Sequence, residues 1–343
     1  MATLKDISEE LGLSIATVSR ALNGFPEVSE KTRTLVAETA KRLNYRPNRA
    51  AQKLVSGRSG IVGMLVSLQP GVSAESSLVE VIMGLSWRLA KRDVDLVMNV
   101  IVDDDPVAAY RRMVSKNMLD GFIINAPQIN DPRIAFLEAE GIPFVVHGRA
   151  EEDPSYAFFD LDNANAAAQA VGLLANLQHQ RIAMINGPAS AAFARQRAEG
   201  FRHALTARGL ATSEAFNSYG ENTRASGYTR TLELLARPEE SRPTALVCAS
   251  TPLAHGALRA AQDRGLTVPD AVSVICHDDV TPVLTSEETN PPLTVTRAAL
   301  SAACEPLVEK MIALLNGADP RAQQTTETAE LIVRQSTGPA PRH

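Results

Sequence analysis

The stretch Leu4 to Asn23, LKDISEELGLSIATVSRALN, constrains this chain more than any other. Leu4, Ile7 and Leu11 recur at helical spacing, and Val18 and Leu22 take up the spacing again beyond Gly12. Two short amphipathic helices around one small shared core satisfy that pattern, with Gly12 allowing the sharp turn between them. Thr3 and Asp6 stand three residues apart, an acidic variant of the capping box, and Ser14 is placed to cap the second helix. Ser29 to Leu43 reads as a third helix with Leu35, Val36 and Leu43 inward. Helix-turn-helix units lay the start of their second helix in the major groove of DNA, which here exposes Ile15, Ala16, Thr17, Ser19 and Arg20. Arg20 is the strongest candidate for base readout, since a guanidinium donates two hydrogen bonds to guanine O6 and N7. From the spacing alone, an ordinary helical hairpin with solvated serines and threonines is the competing reading.

The residues that follow favour the first reading. NYRPNRAAQKLVSGRSG runs from Asn44 to Gly60. The segment as a whole resembles the LacI family of bacterial transcription regulators. TLKDISEELGLSIATVSRALN, the VSEKTR that opens the third helix, and LNYRPNRAAQKL carry the resemblance, in that order. It implies DNA contacts from Thr3, Ser14, Ile15, Ala16, Thr17, Ser19, Arg20, Asn23, Thr32, Tyr45, Asn48, Arg49 and Leu54. Pro47 stops the third helix and Asn48 can cap another, but Arg49 to Ser56 is too short to be a stable helix alone. In the resembled family this hinge helix folds on operator DNA, pairs with its dimer mate and wedges a leucine into the minor groove. Leu54 holds that position, and an apolar wedge kinks a duplex at a flexible base step.

Charge is unevenly spread along the 343 residues. The formal net charge is −5, but residues 1–58 hold ten Lys/Arg against six Asp/Glu, a balance of +4 that leaves −9 for the remainder. A basic head on an acidic body fits phosphate contact by the head alone. The length suits a short module plus a body of two lobes, and 45% hydrophobic residues suffice for a large core. There is no 18-residue apolar run and no basic-then-apolar leader, so neither membrane insertion nor export is expected, and the location expected is cytoplasmic. Cys248, Cys276 and Cys304 lack CxxC spacing and read as reduced core residues.

From Gly60 onward, apolar strand-like runs alternate with amphipathic stretches. The runs are IVGMLVS (61–67), VDLVMNVI (94–101), DGFIINA (120–126), PFVVHG (143–148), RIAMING (181–187), TALVCAS (244–250), VSVICHDD (272–279), LTVTR (293–297) and AELIVRQS (329–336). Such alternation means parallel sheets covered on both faces. The expected fold is an all-α helix-turn-helix DNA-binding domain joined to an α/β core of two parallel-sheet lobes, which resembles the periplasmic-binding-protein-like effector core of the same family. Crossings between lobes are expected near Leu161, Pro291 and Asp319. The domains are then residues 1–46, a hinge at 47–59, a first lobe of 60–161 with 292–318, a second lobe of 162–291 with 319–338, and a disordered tail at 339–343.

In the resembled family the effector lies between the lobes, at the carboxyl ends of strands. Arg197, shortly before Gly200-Phe201, matches the family's pocket arginine, and its rigid fork suits ligand oxygens. Asp278, in the run His277-Asp278-Asp279, corresponds to the effector-contacting aspartate. His147 and Arg149 end another strand, Asp160 lies at a crossover where it can serve the pocket or cap a helix, and Ser67 ends the first strand. Two departures from the family pattern bear on the ligand. Ser250-Thr251 replaces the Asn-Asp of many sugar-responsive members, so ligand geometry there does not carry over, and Ser250 offers the effector a hydroxyl in place of an amide. Ala191 and Phe193 stand where purine-responsive relatives place polar groups. Phe193 beside Arg197 and Asp278 suits a pyranose, whose C–H face stacks and whose hydroxyls bind charged groups.

The expected function is a homodimeric, effector-controlled transcription regulator, most simply a repressor of carbohydrate transport and catabolism genes. Its partners would be near-palindromic operator DNA and a mono- or disaccharide, such as an α-glucoside, with no cofactor, metal or membrane. An enzyme built on His277 and Asp278 lacks a nucleophile elbow and a second ligand cluster. A sugar-binding protein of a transporter would have no use for residues 1–58. A regulator responding to a non-sugar metabolite remains the alternative closest to the main reading. The absence of leucine heptads after Leu331 favours a dimer over a tail-assembled tetramer.

Overall fold

The computed structural model describes residues 2–22, 24–45, 58–67, 76–101, 105–213, 216–280 and 285–341. The chain forms two compact units, residues 1–59 and 60–343.

In the first unit, α1 (Leu4–Leu11), α2 (Ile15–Leu22) and α3 (Glu30–Arg42) enclose a small core. The Thr3–Asp6 capping box forms at the start of α1, and Gly12 ends that helix in the left-handed conformation at φ 62°. Ile7, Val18 and Val36 are wholly buried, each contributing roughly 1.5–3 kcal/mol over an exposed side chain. Leu35, expected inward, is 47% exposed, because Val36, Thr39 and Ala40 form the buried face of α3 instead. Asn23 and the proposed hinge helix, with Asn48, Arg49 and Leu54, lie outside the described residues.

In the second unit the chain first runs β1 (Ile61–Ser67), α4 (Ser76–Ala90), β2 (Asp95–Ile101), α5 (Ala108–Ser115), β3 (Gly121–Asn125), α6 (Pro132–Ala139), β4 (Phe144–His147) and β5 (Ala157–Leu161). It continues through α7 (Asn163–Asn176), β6 (Ile182–Asn186), α8 (Ala192–Thr206), β7 (Asn217–Tyr219), α9 (Arg224–Leu235), β8 (Ala245–Cys248), α10 (Thr251–Asp263), β9 (Ser273–Asp278) and β10 (Thr294–Arg297). The last elements are α11 (Cys304–Leu315), β11 (Gln324–Glu327) and β12 (Glu330–Ile332). The strands form two six-stranded sheets, ordered β11-β5-β4-β3-β1-β2 and β12-β10-β9-β8-β6-β7. Each sheet has a buried apolar cluster on both faces, as parallel strands connected by helices require.

Two of the three expected crossings fall elsewhere. The first does follow β5 at Leu161, but β10 pairs with β9 (Thr294 opposite Ile275), so the second comes after Arg297 and not near Pro291. Likewise β11 pairs with β5 (Gln324 opposite Phe158), which moves the third from Asp319 to beyond Glu327. The strand β12 runs antiparallel to β10, the one exception among the described pairings to the parallel order expected. Within the described part of the tail expected to be disordered, Ala340 is held, its N–H donating to Leu177 O at 2.8 Å, and just before that tail the wholly buried His179 ring bonds Gly338 O as well as Thr244 and Ser273. The three cysteines are free and buried, and among the described residues no helix is long and apolar enough to cross a membrane.

Candidate functional site

In the first unit the candidate surface is the outer face of α2. Its burial of Val18 and Ala21 turns Ile15, Ala16 and Arg20 outward, with Ser14 exposed just before it and Thr17 and Ser19 half-buried. Ser14 Oγ accepts from Thr17 N–H at 3.0 Å and bonds the Thr17 hydroxyl at 2.7 Å, so the cap and the start of the helix are one rigid turn. Thr3 is committed to Asp6 in the same way, and Thr32 bonds the Ser29 cap of α3 at 2.8 Å. Tyr45 packs against the core cluster. Ile15 is 49% exposed, the large apolar side chain of a face it shares with Ala16, several hydroxyls and a guanidinium. That face offers an apolar contact for a thymine methyl and a forked donor for guanine.

In the second unit a cleft of about 700 Å³ lies at the carboxyl ends of both sheets. In parallel sheets this is where loops diverge and backbone groups become available to ligands. Of the expected effector residues, His147, Arg149, Asp160, Phe193, Arg197 and Ser250 all line it. The side chain of Ser67 lies outside the described residues.

Asp278 does not line the cleft. Its carboxylate accepts from Ser286 Oγ at 2.6 Å and from Val280 N–H at 2.9 Å, with Thr251 Oγ1 3.4 Å away. Side chains alternate along a strand, so Ile275, His277 and Asp279 share one side while Cys276 and Asp278 share the other. His277 and Asp279 reach the cleft in its place. Asp279 Oδ1 lies 3.3 Å from His277 Nε2, and His277 Nδ1 lies 3.2 Å from Thr296 Oγ1. Burial works against ionising Asp279, but the His277 hydrogen bond and the positive charge of Arg197 outweigh it and hold the carboxyl below its ordinary range. Burial, then the charge of Arg197, lowers the pKa of His277, so the neutral imidazole is favoured.

Arg197 projects from α8, which lies backbone to backbone on α7 because Gly200 has no side chain. A Cβ there would collide with the backbone of Ala164. That close approach brings Arg197 Nε to 2.9 Å from Asn163 Oδ1, and Nη1 donates to Ala249 O at 2.5 Å. The guanidinium is only 8% exposed and sits 5.2 Å from the Phe193 ring centroid. On the first sheet's side, Arg149 Nε donates to Asp160 Oδ2 at 2.9 Å. Burial nevertheless pushes the Asp160 carboxyl up to about 6, with Arg149 opposing. His147 Nδ1 lies 2.8 Å from Asn125 Oδ1, and burial pushes its pKa down to about 4. A neutral ring that donates from Nδ1 keeps an acceptor lone pair on Nε2.

Sequence reasoning missed Asn125, Asn163, Gln196, Asn222 and Asp279. Strand-end alternation was the available signal for Asp279, and Asn163 stands two residues after the first crossing. Gln196 and Asn222 are reached by loop and helix geometry that no local pattern encodes.

Residues 3–48 match the family model for bacterial regulatory proteins of the lacI family, and residues 171–337 match that for the periplasmic binding protein-like domain. The chain is 42% identical over 340 residues to the HTH-type transcriptional regulator AglR of Rhizobium meliloti (strain 1021), covering 98% of this chain and 95% of that one. The solved complex of transcriptional regulator CelR with cellobiose is similar at 28% identity with a TM-score of 0.73, over 98% of this chain and 100% of that one. The lac repressor dimer bound to operator and the anti-inducer ONPF is similar at 27% identity with a TM-score of 0.79, over 98% and 99% of the two chains.

Proposed function

The chain belongs to the LacI family of bacterial regulatory proteins and is a DNA-binding transcriptional regulator, and from that premise we propose that a sugar held in the cleft of its second unit controls it. The observation that carries this reading is the pairing of an aromatic ring, Phe193, with the buried Arg197 and His277 and the half-buried Asp279 in one cleft. A pyranose presents a C–H face to a ring and hydroxyls to fixed charged groups, which is the chemistry this arrangement receives. The CelR–cellobiose complex, similar along almost the whole chain, supports it.

The protein acts as a cytoplasmic homodimeric repressor of carbohydrate transport and catabolism genes, without catalysis of its own. Its all-α first domain supplies two copies of α2 to the half-sites of a near-palindromic operator, with Arg20 as the main polar reader. The lac repressor dimer on its operator supports that stoichiometry. Leu54 and the residues around it share the recognition by deforming the site. Arg197 and Asp279 orient the sugar, with Asp160 and His147 facing it from the other sheet.

Calorimetry of the full chain against a sugar panel tests the effector class. Heat with one or more sugars, and its loss in Arg197→Ala, is the expected result. Binding of a nucleobase or phosphorylated metabolite, with no heat from any sugar, would sink the reading.

A further inference from the structure

The first crossing between the lobes is short, and one buried amide stands beside it. Strand β5 ends at Leu161, Asp162 caps α7 by accepting from Asn165 N–H, and Asn163 is the first residue of that helix. With the cap supplied by Asp162, the Asn163 side chain has no capping duty. It is 4% exposed and turns back over the crossing, where its Nδ2 donates to Leu161 O at 3.0 Å.

Arg197 fixes which end of this amide is which. A guanidinium only donates, so the Asn163 atom 2.9 Å from Arg197 Nε is the oxygen. The nitrogen then faces two side-chain acceptors besides Leu161 O: Gln196 Oε1 at 3.1 Å and Asp160 Oδ1 at 3.5 Å. Two N–H groups do not serve three acceptors equally, and the longest contact is the weakest. The amide therefore has alternative partners within reach, one on each lobe.

These groups belong to two bodies. Helices α7 and α8 pack backbone to backbone where Gly200 meets Ala164, so Asn163, Gln196 and Arg197 move together with the second lobe. Arg149 and Asp160 are tied to one another on the first lobe. Across the boundary run Gln196 Nε2 to Arg149 O at 3.2 Å and the weak contact of Asn163 with Asp160. A continuous path thus leads from Arg197 through Asn163 and Gln196 to Arg149 and Asp160. In Arg197 itself, Nε is committed to Asn163 and Nη1 to Ala249 O, so a ligand that draws the guanidinium acts against the Asn163 bond. Polar groups with two discrete arrangements are the means by which a small shift at a ligand becomes a change of lobe angle.

We propose that Asn163 is a positioning residue through which the cleft sets the tilt between the lobes. Its oxygen orients Arg197, and its N–H groups exchange Gln196 for Asp160 when an effector draws the arginine. This rests on Arg197 being an effector contact, as the sugar reading has it. Without those N–H groups the effector still binds, but operator affinity no longer follows its binding.

The quantity to measure is the coupling factor of the full-length protein, the ratio of its operator affinities without sugar and at saturating sugar. Fluorescence anisotropy reads it on an operator duplex selected from a random-sequence pool. The sugar is whichever of glucose, galactose, maltose, trehalose, sucrose, cellobiose and melibiose gives calorimetric heat with the wild type. Because the sugar is saturating, a loss of sugar affinity alone leaves the factor unchanged. Asn163→Asp keeps an oxygen towards Arg197 and removes both N–H groups, while Gln196→Met keeps the length of the side chain and removes its bonds to Asn163 and Arg149. Each is expected to cut the coupling factor about threefold or more, out of the roughly 5- to 150-fold of such couplings, with sugar-free operator affinity within about twofold of wild type. The double variant should cut it no further than the single ones, since both break one path. Should Asn163→Asp fail to fold, Gln196→Met carries the test alone. An unchanged factor in the folded variants, or losses that add in the double variant, overturns the positioning role while leaving a sugar cleft standing. A wild type that binds a sugar with no change in operator affinity overturns it as well. A wild type that binds none of these sugars overturns the sugar reading, and this role with it.

Discussion

Asp160 and His147 face the same cleft and respond to burial with opposite signs. The carboxyl of Asp160 is pushed up to about 6, so between about pH 4 and 6 the folded protein holds a proton that the unfolded chain has released. Stability from this group therefore falls as pH rises across that window and is level above it. His147, pushed down to about 4, contributes in the other direction: its stability is present above about 6.5 and is lost as pH falls towards 4. The two slopes overlap and partly cancel in the wild type. Asp160→Asn should uncover the histidine slope, so that the variant gains on the wild type between pH 4 and 6 and holds a constant difference from 6.5 to 8. Urea unfolding at a series of pH values reads this directly, and a pH-independent difference would remove the assignment. At this scale much of the cleft was legible. His147, Arg149, Asp160, Phe193, Arg197 and Ser250 were all found from strand ends and family resemblance, and all line it. The family resemblance points to Asp278, and three polar residues in a row hide the strand alternation that turns Asp279 to the cleft instead.

The helix α8 is the element on which the cleft depends most, and its start is secured from the other sheet. Ala191, its N-cap, has no side chain to offer, and the Ala192 N–H donates instead to Pro127 O at 3.0 Å, in the loop after β3. Ile129 N–H donates back to Ser190 O at 3.1 Å, and Gln196 Nε2 reaches Arg149 O at 3.2 Å. The helix bearing Phe193 and Arg197 thus takes its first hydrogen bond from the opposite lobe. Ala192 is the first helical residue, where proline is tolerated, and Ala191 already has the extended backbone that a following proline requires. Ala192→Pro should preserve the helix yet delete this donor and crowd Pro127 O, lowering stability by about 1–3 kcal/mol with unchanged far-ultraviolet circular dichroism. An unaltered urea midpoint would show that the clasp contributes nothing. Elements of this kind are hard to read from sequence. The nine apolar runs all became strands, but β7 (Asn217–Tyr219) and β11 (Gln324–Glu327) are short and polar, and β11 is held by an edge pairing that no periodicity announces. Without a periodic signal at β11, periodicity alone puts the third crossing one element too early.

For the whole molecule, the order of modules was legible because a basic head and an acidic body differ in both charge and periodicity. The route of the chain between lobes was not, since it depends on which sheet each late strand joins. What links the head's function to the cleft's is a free energy, and it must be reciprocal. If the sugar changes operator affinity by some factor, the operator changes sugar affinity by the same factor. Couplings of this class run to about 1–3 kcal/mol, or roughly 5- to 150-fold. Operator titrations with and without saturating sugar, set beside sugar titrations with and without saturating operator, should return one number from both directions. Arg197→Ala should leave operator affinity in the absence of sugar intact and abolish the response to sugar, because the arginine belongs to the cleft and not to the DNA-reading face. A sugar that binds with full affinity but leaves operator affinity unmoved favours neither state of the regulator, and such a ligand would be a passenger in the cleft and not its effector.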